Sequence, residues 1–275
     1  ARHKLARWHG EAGDAAGAAA AHADVFAEHE RVLGPDHPDT LDARGSLAFW
    51  RGEAGDAAGA AAAFADLLED VLRVLGPDHP DTLTARSNLA RWRREAGDAA
   101  GAAAAHAEVL ADRERVLGPD HPQTLDARAH LARSRGEAGD AAGAAAAYAE
   151  VLADRERVLG PDHHATLSTR NNLATWQGKA GDAAGAAAAY EDLLEDVLRV
   201  LGPDHPGTLA VRNNVARCRG EAGDAAGAAA AHEDLLEDVL RVLGPDHPRT
   251  LTTRNNLARW REQASAAGVN RSTDP

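Results

Sequence analysis

Lysine is almost missing from this chain: it stands only at Lys4 and Lys179, and Arg carries the rest of the positive charge. Methionine is absent and cysteine occurs once, at Cys218. A lone thiol excludes an intramolecular disulfide and fits a reducing compartment, so a cytoplasmic location is expected. No apolar run approaches the ~20 residues of a membrane span, and the opening residues do not form a signal peptide. Positive charge as a whole is short. The net charge of −13 argues against binding to duplex nucleic acid, which asks for a basic balance. What remains is rich in Ala, Gly and Arg, a bias that points to a GC-rich genome and says nothing of mechanism.

What is present is a repeat. Gly34-Pro35-Asp36-His37-Pro38 returns at Gly76, Gly118, Gly160, Gly202 and Gly244, each time after 42 residues. The run Ala-Gly-Asp-Ala-Ala-Gly keeps the same period from Ala12, Ala54, Ala96, Ala138, Ala180 and Ala222. A fixed period between about 20 and 50 residues is the signature of a solenoid, in which each unit buries its apolar face only against its neighbours.

Within one unit, Pro38 suits the first turn of a helix, and Asp36 or His37 can cap it. This helix, called A, is predicted to span about Pro38–Ala54. Gly55 ends it, and Asp56 caps helix B, which runs to Leu75 with Ala60, Phe64, Leu67, Leu68 and Val71 on one stripe. Leu47, Trp50, Phe64, Leu67 and Val71 are the expected core, and nothing reads as a strand. Gly59 and its equivalents lie inside helix B, where Gly costs roughly 1 kcal/mol against Ala. Close approach of a neighbouring helix is the expected reason.

Gly55-Asp56 between two helices, Leu47-Ala48 before it and Ala60-x-x-x-Phe64 after it resemble the tetratricopeptide repeat. The long second helix and the Gly-Pro-Asp-His-Pro linker resemble the repeats of kinesin light chains, and still more the arrays of actinobacterial proteins that accompany signalling NTPase modules. The resemblance implies an all-α, right-handed superhelical solenoid. It also implies a non-enzymatic role without cofactors, binding peptides or protein partners on a concave surface lined by the A helices. Two departures stand out. Arg51 takes the place of the family's Tyr, and Arg44, with Arg86, Arg128, Arg170, Arg212 and Arg254, takes that of a large apolar residue.

The solenoid is expected over 1–263, opening with a partial helix A at 1–11. Its linkers fall at 34–38, 76–80, 118–122, 160–164, 202–206 and 244–248, and an unpaired helix closes it at 248–263. Residues 264–275 read as a degenerate, disordered tail. With no initiating Met and a start inside a repeat, the sequence reads as a piece of a longer array.

Catalysis needs unique residues, and here nearly every Asp and His has copies one repeat away. The Asp-His linkers cannot share a metal, because stacked equivalents lie about 10 Å apart whereas Zn–N bonds are ~2.0–2.1 Å. His163-His164 is a doubled site made by loss of a Pro. Cys218 occupies the column of Trp50, Trp92, Trp176 and Trp260 and reads as core. The candidate binding residues are those a helix would not choose for itself. Asn88, Asn172, Asn214 and Asn256 are poor interior helix residues whose amides can match a peptide backbone. One turn on stand Arg91, Arg133, Arg217 and Arg259. With acids concentrated on helix B, a basic A face would suit an extended acidic peptide. The alternative for the amides is bridging between helices, and for the Arg residues a ladder of ion pairs to helix B. That leaves a structural spacer, or an array that self-associates through its terminal repeats, as the second reading.

Overall fold

The computed structural model describes residues 14–272, and every regular element among them is a helix. The chain divides into two compact units between Asp140 and Ala141. The first holds α1 (Ala15–Leu33), α2 (Pro38–Glu53), α3 (Ala57–Leu75), α4 (Pro80–Glu95), α5 (Ala99–Leu117) and α6 (Pro122–Glu137). The second holds α7 (Ala141–Leu159), α8 (His164–Lys179), α9 (Ala183–Leu201), α10 (Pro206–Glu221), α11 (Ala225–Leu243) and α12 (Pro248–Ser272). In each unit every helix packs on the next in sequence, the arrangement of a helical solenoid.

The punctuation of the sequence explains the boundaries. At the start of α2 the cap is His37 rather than Asp36, its Nδ1 accepting from the Asp39 amide at 3.2 Å. His79, His121, His163, His205 and His247 do the same for the other A helices. Asp56 caps α3, as expected. Gly55 and Gly76 take positive φ (103° and 87°) where α2 and α3 stop, a conformation other residues reach only with strain. The buried Thr82 hydroxyl donates to the Gly76 carbonyl at 2.7 Å, satisfying an acceptor left over at the end of α3.

Gly59 has a different role from the one its position suggests. The Asp56 carboxylate accepts from the Gly59 amide at 2.8 Å, and a Cβ on Gly59 would stand 2.2 Å from Asp56 Oδ2. The same collision recurs between Gly101 and Asp98, Gly185 and Asp182, and Gly227 and Asp224. Room for the cap, not for a neighbouring helix, fixes this glycine.

Phe64, Leu67 and Val71 are buried as predicted, beside Leu89 and Trp92 of the next repeat. Leu47 and Trp50 are only half-buried. Two core positions of the Val71 column are charged: Arg113 and Arg155 are buried, and their guanidinium groups donate to the Gln123 carbonyl and to the Ala165 carbonyl with Thr169. The last helix continues to Ser272 instead of ending near 263. Ala264, Ala266 and Ala267 favour helix, and Gly268 alone costs only about 1 kcal/mol. The expected partial helix at 1–11 and the end of the expected tail, 273–275, lie outside the described residues.

Candidate partner-binding surface

The charge split between helices is largely closed within each helical pair. Arg44 on α2 donates to Asp70 on α3 at 2.7 Å. Asp70 also accepts from Arg73, which forms a bidentate pair with Asp36 in the loop before α2. The relay Asp36–Arg73–Asp70–Arg44 recurs as Asp78–Arg115–Asp112–Arg86, Asp162–Arg199–Asp196–Arg170 and Asp204–Arg241–Asp238–Arg212. The hydrogen bond from Arg73 holds the Asp36 carboxyl below the usual carboxylate range, and Arg73 followed by Arg44 does so for Asp70. Arg51 turns back to Asp56, and Arg219 to Asp224. The Arg44 column therefore belongs to the scaffold.

The candidate Arg residues one turn from the Asn column behave differently from one another. Arg91 pairs with Glu53 of the preceding repeat while lying over the rings of Phe49 and Trp92. Arg133 pairs with Glu137 at 2.9 Å and Arg217 with Glu221 at 2.7 Å, each along its own helix. Arg259 is exposed and lies 4.2 Å from the centre of the Trp260 ring.

The Asn residues form a staggered ladder along α8, α10 and α12. Asn214 Nδ2 donates to Asn171 Oδ1 at 3.0 Å, and Asn256 Nδ2 to Asn213 Oδ1 at 3.0 Å. Each bond uses one amide hydrogen of the later residue and one carbonyl of the earlier. The Asn171 and Asn213 NH2 groups, and the Asn214 and Asn256 carbonyls, keep capacity for further bonds. Asn172 makes no side-chain hydrogen bond, and Asn88 lies apart in the first unit, on a recess of about 230 Å³ that also touches Ser46, Phe49 and Leu67.

A second regularity was hidden in the sequence. The Trp92 ring of α4 lies over Gly52 of α2 so closely that a Cβ there would be 2.5 Å from it, and Trp260 of α12 covers Gly220 of α10 in the same way, at 2.6 Å. Where Arg94 replaces the glycine, the small buried Ser134 replaces the next Trp, and Arg94 reaches both oxygens of Glu137. One junction of the second unit has neither filling. Gly178 is followed by Cys218, and a Cβ on Gly178 would meet only the Ala186 methyl, at 3.4 Å. A cleft of about 740 Å³ opens there, bringing Asn214 and Arg217 together with Thr175, Lys179, Cys218 and Glu221. The only legible sign was a column with glycine at Gly52, Gly136, Gly178 and Gly220, each about 40 residues before the residue that covers or faces it and so too far away in sequence to be paired with it.

Among the described residues no three His, Cys, Asp or Glu side chains gather in a group able to hold a metal, and the His163 and His164 rings simply pack at 4.4 Å. Burial pushes the Cys218 thiol up, away from the reactive thiolate.

Models of the tetratricopeptide repeat match residues 1–39, 40–81, 82–123 and 208–249, and a second tetratricopeptide repeat model matches 135–197. A search of curated proteins gives no sequence match. Similar solved structures include the nearly identical tetratricopeptide-like repeats of a Podosopora anserina protein designated a kinesin light chain (23% identity over 74% of this chain and 97% of that one, TM-score 0.63). BtubC (BKLC) from P. vanneervenii is 22% identical over 74% of this chain and 83% of its own, with a TM-score of 0.62. A Rap protein complexed with Competence and Sporulation Factor is 10% identical, with 95% of this chain and 74% of that chain covered and a TM-score of 0.63. At these identities the likeness concerns the fold.

Proposed function

The chain belongs to the tetratricopeptide repeat family, and from that premise we propose that it is a non-enzymatic scaffold binding an extended, acidic peptide segment of a protein partner along α8, α10 and α12. The reading places it with the kinesin-light-chain-like, actinobacterial arrays of 42-residue units, in the cytoplasm. One observation carries it: the Asn ladder, whose uncommitted NH2 and carbonyl groups recur once per repeat on one row of A helices. An extended chain rises about 3.3 Å per residue, so every third residue of a ligand would meet a rung. Asn172 adds a free amide, and Arg259 a cation not taken by an acid. The Rap neighbour, solved with a bound factor, gives a precedent for this use of the fold.

The test is a peptide-library screen followed by calorimetry. Asn172→Ala breaks no internal bond, so it should weaken the selected peptide by about 0.5–1.5 kcal/mol at unchanged melting temperature. A screen without binders, or a selected peptide indifferent to Asn172→Ala, would defeat the proposal. A second reading, a spacer or self-associating array, draws on the ion pairs that occupy the Arg44 column together with Arg91, Arg133 and Arg217. Leu251, 45% exposed on the last helix, is its best contact for a second copy. Sedimentation that stays monomeric at high concentration would remove the self-associating form.

A further inference from the structure

We propose that the cleft between Gly178 and Cys218 is a small-molecule site for an indole carboxylate: a planar bicyclic ring seated on Gly178 and the Ala186–Ala187 wall, its carboxylate held by Lys179 and Arg217.

The ring is argued from the neighbouring junctions. At Gly52 and at Gly220 the same point beside the glycine backbone is filled by an indole, that of Trp92 or Trp260. At Gly178 the backbone shelf is kept but the residue that would supply the indole is Cys218, and only the Ala186 methyl comes near. The wall is Ala183, Ala186 and Ala187, flat and apolar. An apolar hollow of this kind takes up a complementary apolar ring from water, since it offers contacts that water cannot make.

The charge is argued from an independent substitution at the same junction. Elsewhere the residue after the glycine column is acidic, as in Glu53, Glu95, Glu137 and Glu221, and Arg91 pairs with Glu53 across the repeat boundary. Here that residue is Lys179, whose ammonium lies 4.1 Å from the centre of the Trp176 ring, and Arg217 on the same cleft pairs with Glu221 of its own helix, as Arg133 does with Glu137. Two cations and one carboxylate then border the cleft, a surplus of one positive charge beside an indole-shaped hollow. Asn214 and Thr175 add polar contacts at the edge. A compact ligand is favoured over a threaded peptide because the next junction along the row is shut by Trp260 over Gly220. The volume, about 740 Å³, lies within the range of small-molecule sites. The cleft shares Asn214 with the Asn ladder, but the proposal rests on the Gly178–Cys218 mismatch and on Lys179 and survives failure of the peptide reading.

The experiment uses the full chain with indole-3-acetate and indole as probes, followed by calorimetry and ligand-observed NMR. Indole-3-acetate should bind one-to-one with a Kd of about 1 mM or tighter, and indole several-fold more weakly. Lys179→Glu should bring indole-3-acetate down to the level of indole and leave indole unchanged. Cys218→Trp, which supplies the missing ring, should abolish both. Should that variant not fold, the wild-type thiol decides: saturating indole-3-acetate should slow alkylation of Cys218 by N-ethylmaleimide about tenfold, in line with the occupancy reached. No binding and no protection at millimolar ligand overturns the proposal, as does binding that persists in folded Cys218→Trp. Binding of an acidic tryptophan peptide without any of the free carboxylate would also overturn it, and would assign the hollow to a partner's side chain.

Discussion

Two glycines of one column, Gly178 and Gly220, look alike in the sequence and have opposite surroundings. Gly220→Ala drives a methyl into the Trp260 ring and should cost about 1–3 kcal/mol. Gly178→Ala meets only an ordinary-to-tight methyl contact and should stabilise by up to roughly 1 kcal/mol, the helix propensity of Ala over Gly. Urea denaturation of the two variants checks the contrast; equal effects would mean the Trp-over-Gly contact is absent. His106 makes the same point for a titratable group. It sits in the column of Phe64 and is 2% exposed, with no hydrogen-bond partner for Nδ1. Burial, with smaller contributions from His130, Arg94 and Arg113, pushes it down from 6.5 to about 4. Because its folded value lies below its unfolded one, stability is full above about pH 6.5 and falls as pH drops toward 4. The loss amounts to at most about 3 kcal/mol. His106→Phe should reduce that slope, read from urea midpoints at pH 8 and pH 5, and leave the part due to His130, which stacks on it at 5.5 Å and is likewise pushed down to about 4 by burial. Such surroundings could not be read from the sequence: the cost of Gly inside a helix was visible at Gly59, but not that the atom excluding a Cβ belongs to Asp56.

At the scale of the helix the sequence was most informative. Pro38, Gly55, Asp56 and Gly76 set the ends of α2 and α3 to within a residue, because each acts through its own backbone or an adjacent amide. The stripe Phe64, Leu67 and Val71 showed which face of α3 is buried. Relations across 26 or 37 residues, Arg44 with Asp70 and Arg73 with Asp36, were visible only as a charge split without partners. The Asn column was legible as an oddity, while the bridge from Asn214 to Asn171, two columns and one repeat apart, was not. The relay carries its own prediction. Its carboxylates are held below their ordinary values by arginine hydrogen bonds, so their contribution is present above the unfolded carboxylate range and is lost as pH falls through the lowered folded values. Urea midpoints should therefore drop steeply below about pH 4. Asp70→Asn should be destabilising at pH 7 and nearly silent at pH 2; the same effect at both would show that charge is not what Asp70 contributes.

For the whole molecule, stability should follow nearest-neighbour arithmetic, since each repeat buries its face only against adjacent ones. Ending the chain before Pro248 removes α12 and uncovers Ala228 and Ala229, which Leu257 and Trp260 now cover. The truncated chain should keep its helicity per residue in circular dichroism yet melt at lower temperature. A chain that loses helix throughout would instead behave as one cooperative block. The periodic linkers made the repeat architecture legible at once, whereas the cleft arises from a mismatch between two neighbours and is invisible to any reading of a single repeat.

The Trp-over-Gly contact also bears on heredity. Each repeat carries a backward-facing residue at the Trp position and a forward-facing one at the Gly position, so copies of nearly identical sequence are not interchangeable. Unequal crossing-over that deletes 206–247 keeps the linker in frame and brings Trp260 against Gly178, shutting the cleft. Duplication of the same segment sets a second Cys218 against Gly220 and opens another. A single recombination event in the gene would thus remove this cleft or add a second like it, with no point mutation in any residue that lines it.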